Sequence, residues 1–459
     1  MDIKLHKNLA LDTAVVIVDI LLTLAACFLS RTALALFGIN HRVEITLTVV
    51  YTVAMITMLF SYEFYTKMLR NKYEIIISAL ISTMIADAVT LIVYGIQRIH
   101  DISMWHFIII PFFTFVLISV WKLGFLLLMS HFEGLLKLLV IESEDEENSL
   151  ARKIKYSYLK LYEAWYIQID VNSEEAIEEA IATQLPKYDS IFLSPVLPVK
   201  VRDMFISTAV SMDKGIFILP DLYNICFMKS DMVQFDDTPA LMVSRFGLTK
   251  MQSTIKRAFD IILALAGIAL SSPIMAICAL MIRLDSPGPV IYKQERLTLH
   301  RKPFNIFKFR TMRNDAEKET GAVLATDHDP RITKVGRALR SLRLDELPQL
   351  FNILGGSMSI VGPRPERQFF VDEFLEEINN YDKRFFAKAG LTGLAQVYSR
   401  YNTDVKDKTL YDLLYIKDYS FWLDIKLILL TVKTMFVKES SQGVVEAPDY
   451  AHKNNSSTV

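Results

Sequence analysis

Residues 343–366 read RLDELPQLFNILGGSMSIVGPRPE. Two adjacent carboxylates, Asp345 and Glu346, stand near the start, with the helix breaker Pro348 close behind. The stretch closes on Val361-Gly362-Pro363-Arg364-Pro365, where two prolines fix the backbone around Arg364. An Asp-Glu pair near a rigid arginine suits metal-assisted chemistry on phosphate esters. The approach to the pair is basic. Residues 290–370 hold 15 Lys/Arg against 9 Asp/Glu, a local balance of +6 in a chain of net charge −1. Such an excess points to anionic ligands, either nucleotide or lipid head groups.

Upstream lie VIYKQERL (290–297) and KPFNIFKFRTMRNDAE (302–317). Phe304, Ile306, Phe307 and Phe309 are apolar anchors, and Lys308, Arg310 and Arg313 are interleaved with them. Basic groups then point away from a packed face, where arginine engages phosphate bidentately and lysine acts as a compact charge. Lys334, Arg337, Arg340 and Arg343 recur every three residues, with Val335, Leu339 and Leu342 on the other face. That spacing predicts an amphipathic helix with a cationic side, placed just ahead of Asp345-Glu346.

Several motifs occur in a fixed order: SPGP (286–289), QER (294–296), KFRTMR (308–313), LDELPQL (344–350) and MSIVGPRPE (358–366). The runs AKAGLTGLAQV (387–397) and YDLLYIKDYSFWLDIKLILLTVKTMF (411–436) follow. Together they resemble the bacterial sugar transferases, the polyprenyl-phosphate hexose-1-phosphate transferases (large monotopic phosphoglycosyl transferases) that initiate surface polysaccharide synthesis. The resemblance implies that Asp345 attacks the sugar-bearing phosphate of a UDP-sugar and releases UMP. Undecaprenyl phosphate then displaces the phosphosugar from Asp345. It further implies Mg²⁺ held by Asp345 and Glu346, with positioning of the incoming phosphate as the other role for Glu346, a phosphate-binding role for Arg340, and Arg364 on the nucleotide or its diphosphate. A homodimer and a UDP-glucose or UDP-galactose donor follow by analogy, with no nucleic acid partner. Thr298 and Arg301 stand where turn glycines are expected, and Ser357 where an aspartate is usual.

The chain is 52% hydrophobic, with a mean hydropathy of +0.29, and the apolar residues come in blocks. Four blocks, 12–37, 44–65, 76–96 and 107–130, each have about the twenty residues that cross a hydrocarbon core. Lys4 and Lys7, then Lys67, Arg70 and Lys72, then Lys137 mark one side of the membrane; Arg42 and Arg98 are the only cations of the other loops. The positive-inside rule puts the N-terminus and everything after residue 135 in the cytoplasm. Lacking a signal-peptide cleavage pattern, the first block is expected to stay as an anchor. Asp19, Asp87 and Lys122 fall inside the spans, where interhelical pairing is expected. A fifth block, 258–284, contains Ser271-Ser272-Pro273, with Lys256 and Arg257 before it and Arg283 near its end. This predicts a helix–break–helix at Ser272 and Pro273 that enters and leaves by the cytoplasmic face.

Between the spans and this block, LKLLVI (136–141), YEAWYIQID (162–170), YDSIFLSP (188–195) and GIFILP (215–220) alternate with helical patterns, predicting a small parallel sheet. The first strand runs into Glu-Ser-Glu-Asp-Glu-Glu-Asn (142–148), five acidic groups and no glycine, which disfavours a dinucleotide. The module resembles the Rossmann-like domain of larger sugar transferases, read as structural, regulatory or dimer-forming. Cys27, Cys226 and Cys278 show no metal spacing and read as small hydrophobes.

The expected architecture is a membrane protein, α plus α/β. It comprises a four-helix transmembrane bundle (1–134), a Rossmann-like α/β domain (135–245), a re-entrant helix with an α-rich catalytic domain (250–445), and a tail (446–459). The expected location is the bacterial inner membrane, with catalysis on the cytoplasmic face. Two rival readings are a non-catalytic scaffold of polysaccharide assembly and a transporter of lipid-linked sugars. An intact dyad with its full basic set disfavours the first; four spans without a Gly/Pro-broken pair disfavour the second.

Overall fold

The computed structural model describes residues 9–36, 45–62, 72–97, 104–132, 136–144, 162–243, 245–313, 329, 331–399 and 403–436. They form two compact units, Met1–Asp221 and Leu222–Val459. The loop cations Lys4, Lys7, Arg42, Lys67, Arg70 and Arg98, the acidic positions 145–148 and the tail 446–459 lie outside the described residues.

The first unit opens with helices α1 (Leu9–Leu36), α2 (Ile45–Ser61), α3 (Lys72–Gln97) and α4 (His106–Phe132). Of these, α1, α3 and α4 are long and apolar enough to cross a membrane. Helix α2 has 17 residues, about 25 Å at 1.5 Å per residue, which is shorter than the ~30 Å core. Helix α1 packs against α2 and α4, and α3 packs against the same two. The expected pairing is present: Lys122 Nζ donates to Asp19 Oδ2 at 2.7 Å, both side chains buried. Asp87 is half-buried. Hydroxyls of Thr23, Thr90 and Thr114 donate to carbonyls one turn back, at 2.8–2.9 Å.

Next come β1 (Leu136–Ser143), β2 (Tyr162–Ile169), α5 (Glu174–Thr183), β3 (Ser190–Leu193), α6 (Val199–Ser211) and β4 (Gly215–Ile218). The four strands form one parallel sheet in the order β2-β1-β3-β4. Leu138 to Ile141 are all buried, because alternate residues feed cores on both faces. Ser173 caps α5, accepting from Ala176 N at 3.2 Å.

The second unit begins with α7 (Leu222–Phe227) and the hairpin β5 (Asp231–Phe235) and β6 (Thr238–Met242). Helix α8 (Lys250–Asp285) follows, then the hairpin β7 (Ile291–Leu297) and β8 (Pro303–Phe309). The rest comprises α9 (Lys334–Ser341), α10 (Gln349–Gly355), β9 (Ser359–Val361), α11 (Gln368–Glu377), β10 (Gly390–Thr392), α12 (Leu394–Tyr398), α13 (Val405–Lys417) and α14 (Phe421–Phe436).

Helix α8 corrects one expectation. Its 36 residues remain helical through Ser272 and Pro273, so no break separates two helices. Proline removes the N–H that would bond the carbonyl of Ala269. The Ser272 hydroxyl supplies that donor at 2.9 Å, and Ser271 donates to Gly267 O at 2.6 Å. A capping box starts the helix: Thr249 Oγ1 accepts from Gln252 N, and Gln252 Oε1 accepts from Thr249 N. Along its length Lys256, Asp260, Ala264, Met275, Cys278 and Ile282 are buried, while Ile262, Leu265, Leu270, Ile277, Leu280 and Leu284 are exposed. The helix lies with one face on its unit and presents an apolar opposite face. Helix α8 is also the fourth described helix whose length and composition suit a membrane crossing.

Two buried polar ties join α8 to the body. Lys256 Nζ donates to Asp424 Oδ2 at 2.5 Å, and Asp424 Oδ1 accepts from the Tyr415 hydroxyl at 2.8 Å. Asp260 Oδ1 accepts from Ser359 Oγ and Ile360 N, each at 3.0 Å, and so fixes β9. Strand β9 pairs in parallel with β10, and the chains stay close beyond it. A Cβ at Gly362 would lie 2.2 Å from Lys388 O, which is why only glycine fits there.

Candidate active site

Asp345 and Glu346 lie on a single 3₁₀ turn, Leu344–Glu346, between α9 and α10. Helix α9 stops at Ser341 because Arg343 takes a left-handed conformation (φ 53°), uncommon for a residue other than glycine. The expected cationic helix through Arg343 is therefore two residues shorter, and Leu342, assigned to its apolar face, is exposed. The turn redirects the chain so that both carboxylates face β8.

Period-two alternation on β8 puts Ile306 and Lys308 on one face. Lys308 Nζ lies 3.4 Å from Glu346 Oε1, and Arg364 Nη2 lies 3.8 Å from the same oxygen. Arg340 Nε donates to Thr311 Oγ1 at 2.9 Å, from where its charge acts on Asp345. Asn352 fixes the spacing. Its Oδ1 accepts from Phe307 N at 2.8 Å and its Nδ2 donates to Asn305 O at 2.7 Å, tying α10 to β8 beside Lys308.

The two acids differ electrostatically. Burial, then the like charge of Glu346, pushes Asp345 up to about 6, against the opposing pull of Lys308 and Arg340. Glu346 is also desolvated, but Lys308, Arg364 and Arg343 together outweigh burial and hold it below the usual glutamate range. Burial depresses the Lys308 ammonium, with Glu346 opposing. Glu346 is thus a fixed anion inside a cationic ring, and Asp345 carries the less stabilised charge. Adjacent carboxylates supply hard oxygen donors. Mg²⁺ needs only one or two of these when waters and phosphate oxygens complete its shell, so the donor set fits. No group of three or more potential ligand side chains occurs among the described residues.

The structure thus brings together Asp345, Glu346, Lys308, Arg340 and Arg364. It places Arg310 elsewhere. Arg310 is buried, and its guanidinium donates to Ser286 O at 2.6 Å, Ser286 Oγ at 2.9 Å and Pro287 O at 2.8 Å, locking the end of α8 to the SPGP turn. Arg313 is exposed beside the Met312–Ile332 bridge, outside the cations that act most strongly on the dyad. Ser272 and Pro273 stay within α8.

Comparison with known proteins bears on the same segment. A family described as bacterial sugar transferase matches residues 251–438. A UDP-glucose:undecaprenyl-phosphate glucose-1-phosphate transferase of Caulobacter vibrioides is 40% identical over 191 residues, covering 40% of this chain and 71% of that protein. The chain belongs to the bacterial sugar transferase family. A UDP-N-acetylgalactosamine-undecaprenyl-phosphate N-acetylgalactosaminephosphotransferase of Aeromonas hydrophila is 45% identical over 184 residues, 39% of this chain and 43% of that one. An Escherichia coli K12 UDP-glucose:undecaprenyl-phosphate glucose-1-phosphate transferase is 38% identical over 232 residues, half of each chain. The chain thus spans about half the length of these two relatives.

The sugar-transferase segment also contains site residues that the sequence reading did not select. Arg296, Gln349, Pro365, Gly390 and Leu391 line a cleft with Ile306, Lys308, Glu346 and Arg364. The signal for Arg296 was present in the hairpin register. Arg296 pairs with Phe304, Gln294 with Ile306 and Tyr292 with Lys308, so all six share a face. The two departures in the 298–302 turn differ in consequence. Arg301 does take a left-handed φ of 59°, as His300 does (56°). Thr298 is extended and its hydroxyl donates to Ser357 O at 2.9 Å and accepts from Ala389 N at 3.1 Å. Ser357 in turn donates to Asn352 O at 3.1 Å beyond the left-handed Gly356.

Proposed function

We propose that this protein transfers hexose 1-phosphate from a UDP-sugar to undecaprenyl phosphate, at the cytoplasmic face of the bacterial inner membrane, as the first membrane step of surface polysaccharide synthesis. The observation that carries this is one partly buried turn presenting Asp345 and Glu346 to Lys308, Arg340 and Arg364. Family membership and the names of its relatives, which specify undecaprenyl phosphate and either glucose or N-acetylgalactosamine, support the same reading.

The reaction exchanges one phosphoanhydride for another, so charge neutralisation and positioning dominate the barrier. Arg364 and Lys308 hold the donor diphosphate. An Asp345 oxygen attacks the phosphorus that bears the sugar; its bond to the bridging oxygen breaks and UMP leaves with the electron pair. An oxygen of the polyprenyl phosphate, steadied by Arg340, then attacks that phosphorus and releases Asp345. Glu346 and Asp345 would hold Mg²⁺, which supplies Lewis-acid neutralisation of the diphosphate. Helix α8 is proposed as re-entrant. Pro273 can bend the helix without breaking it, and a straight crossing would put the catalytic segment after α8 across the membrane from sugar nucleotides. A homodimer is proposed by analogy alone.

The test is UMP release by full-length protein with Mg²⁺, undecaprenyl phosphate and a panel of UDP-glucose, UDP-galactose and their N-acetylated counterparts, beside Asp345→Asn. The expected result is release with one donor, lost in the variant. Release that survives Asp345→Asn would move the nucleophile elsewhere, and no release from folded protein would overturn the reading.

A further inference from the structure

Arg364 is exposed, yet the loop that presents it is held from beneath. Pro363 and Pro365 have no N–H to donate, so this loop is fixed through its carbonyls. Each accepts from a different donor: Pro363 O from Gly390 N at 2.9 Å, Arg364 O from Arg384 Nη2 at 2.9 Å, and Pro365 O from Arg296 Nη1 at 3.2 Å. Arg384, on the 3₁₀ turn Tyr381–Phe386, is the sequestered member, with a side chain only 6% exposed. Its guanidinium also lies 2.7 Å from Asp412 Oδ2, on α13, whose side chain is 2% exposed. Nη1 donates to the Tyr381 hydroxyl. Two buried charges are costly unless paired and bonded, and here each satisfies the other while the fork reaches the Arg364 carbonyl. Neither Arg384 nor Asp412 lines the cleft.

We propose that the buried Arg384–Asp412 pair is a positioning device for Arg364, fixing the peptide from which that side chain extends toward Glu346 and the donor diphosphate. The inference rests on Arg364 as a diphosphate-binding residue. A guanidinium suits the task because Nη2 serves the acid and the carbonyl while Nη1 is held by Tyr381, which fixes the plane of the group.

The test uses the full-length protein and the UDP-sugar that supports UMP release. Arg384→Met with Asp412→Leu removes both charges together, so no unpaired charge is left buried. The expected result is folded protein whose KM for the UDP-sugar rises on the order of tenfold, with KM for undecaprenyl phosphate unchanged. Adding Arg364→Ala to the double variant should then cost several-fold less than in the parent, since coupled residues are non-additive. An unchanged donor KM in the folded double variant, or independent multiplication of the two effects, would overturn the proposal. If Arg364→Ala alone leaves donor KM unchanged, the diphosphate reading of Arg364 fails instead. Should the double variant not fold, Arg384→Lys carries the same measurement. It keeps a cation for Asp412 but loses the planar group anchored on the Tyr381 hydroxyl, so donor KM is expected to rise, and an unchanged value overturns the proposal.

Discussion

Asp345 and Glu346 are neighbours in the chain but not in their electrostatics. Glu346 is surrounded by cations and stays ionised, whereas burial and the Glu346 charge raise Asp345 to about 6. In the proposed mechanism Asp345 attacks as the carboxylate, so kcat/KM of the wild type is expected to rise with pH through a limb centred near 6 and to level above it. Glu346→Gln removes the like charge, and the limb of its residual activity is expected at lower pH. A limb that does not move would separate Asp345 from the titration. The stability consequence has a definite sign. A folded carboxyl with a raised pKa binds its proton more tightly than the unfolded one, so its contribution falls as pH rises from about 4 to about 6. Asp345→Asn should flatten that part of the stability profile, by about 2 kcal/mol at most.

Among the elements, α8 and the β7–β8 hairpin are joined by Arg310 rather than by apolar packing alone. Its guanidinium satisfies the carbonyls of Ser286 and Pro287, where the helix gives way to a proline-rich turn that has few donors of its own. Arg310→Ala is therefore expected to lower stability by roughly 3 kcal/mol, because it removes a buried guanidinium and its charge-assisted hydrogen bonds to these carbonyls. Thermal unfolding reads this directly, and KM for either substrate should be unchanged in the protein that remains folded. A selective rise in one KM at unchanged melting temperature would return Arg310 to the phosphate-binding set.

For the molecule as a whole, the topology of α8 decides on which side of the membrane the dyad works. Single cysteines at Ser253 and Asp285, both exposed near opposite ends of the helix, can be placed in a protein lacking Cys27, Cys226 and Cys278. A membrane-impermeant thiol reagent applied from one side is expected to label both positions or neither. Labelling of only one would make α8 an ordinary span and would put the catalytic residues across the membrane from sugar nucleotides.

The sequence by itself determined the blocks of the chain, because periodicity and length are local properties. The apolar runs, the alternation in 136–218 and the ordered motifs of 286–366 carry their signals within a few residues of themselves. It also marked Asp345, Glu346, Lys308, Arg340 and Arg364, since charges beside prolines and apolar anchors stand out in one dimension. Only the tertiary structure separated Arg310 from that set, because its partners at 282–287 lie more than twenty residues away. The helical continuity at Pro273 depended on whether the Ser272 hydroxyl or a turn would satisfy Ala269 O. Arg296 stood in the QER motif, but only the strand pairing put it in the cleft. The Arg384–Asp412 pair was invisible one residue at a time: a buried charge is recognised by the partner that compensates it, and folding alone supplies that partner.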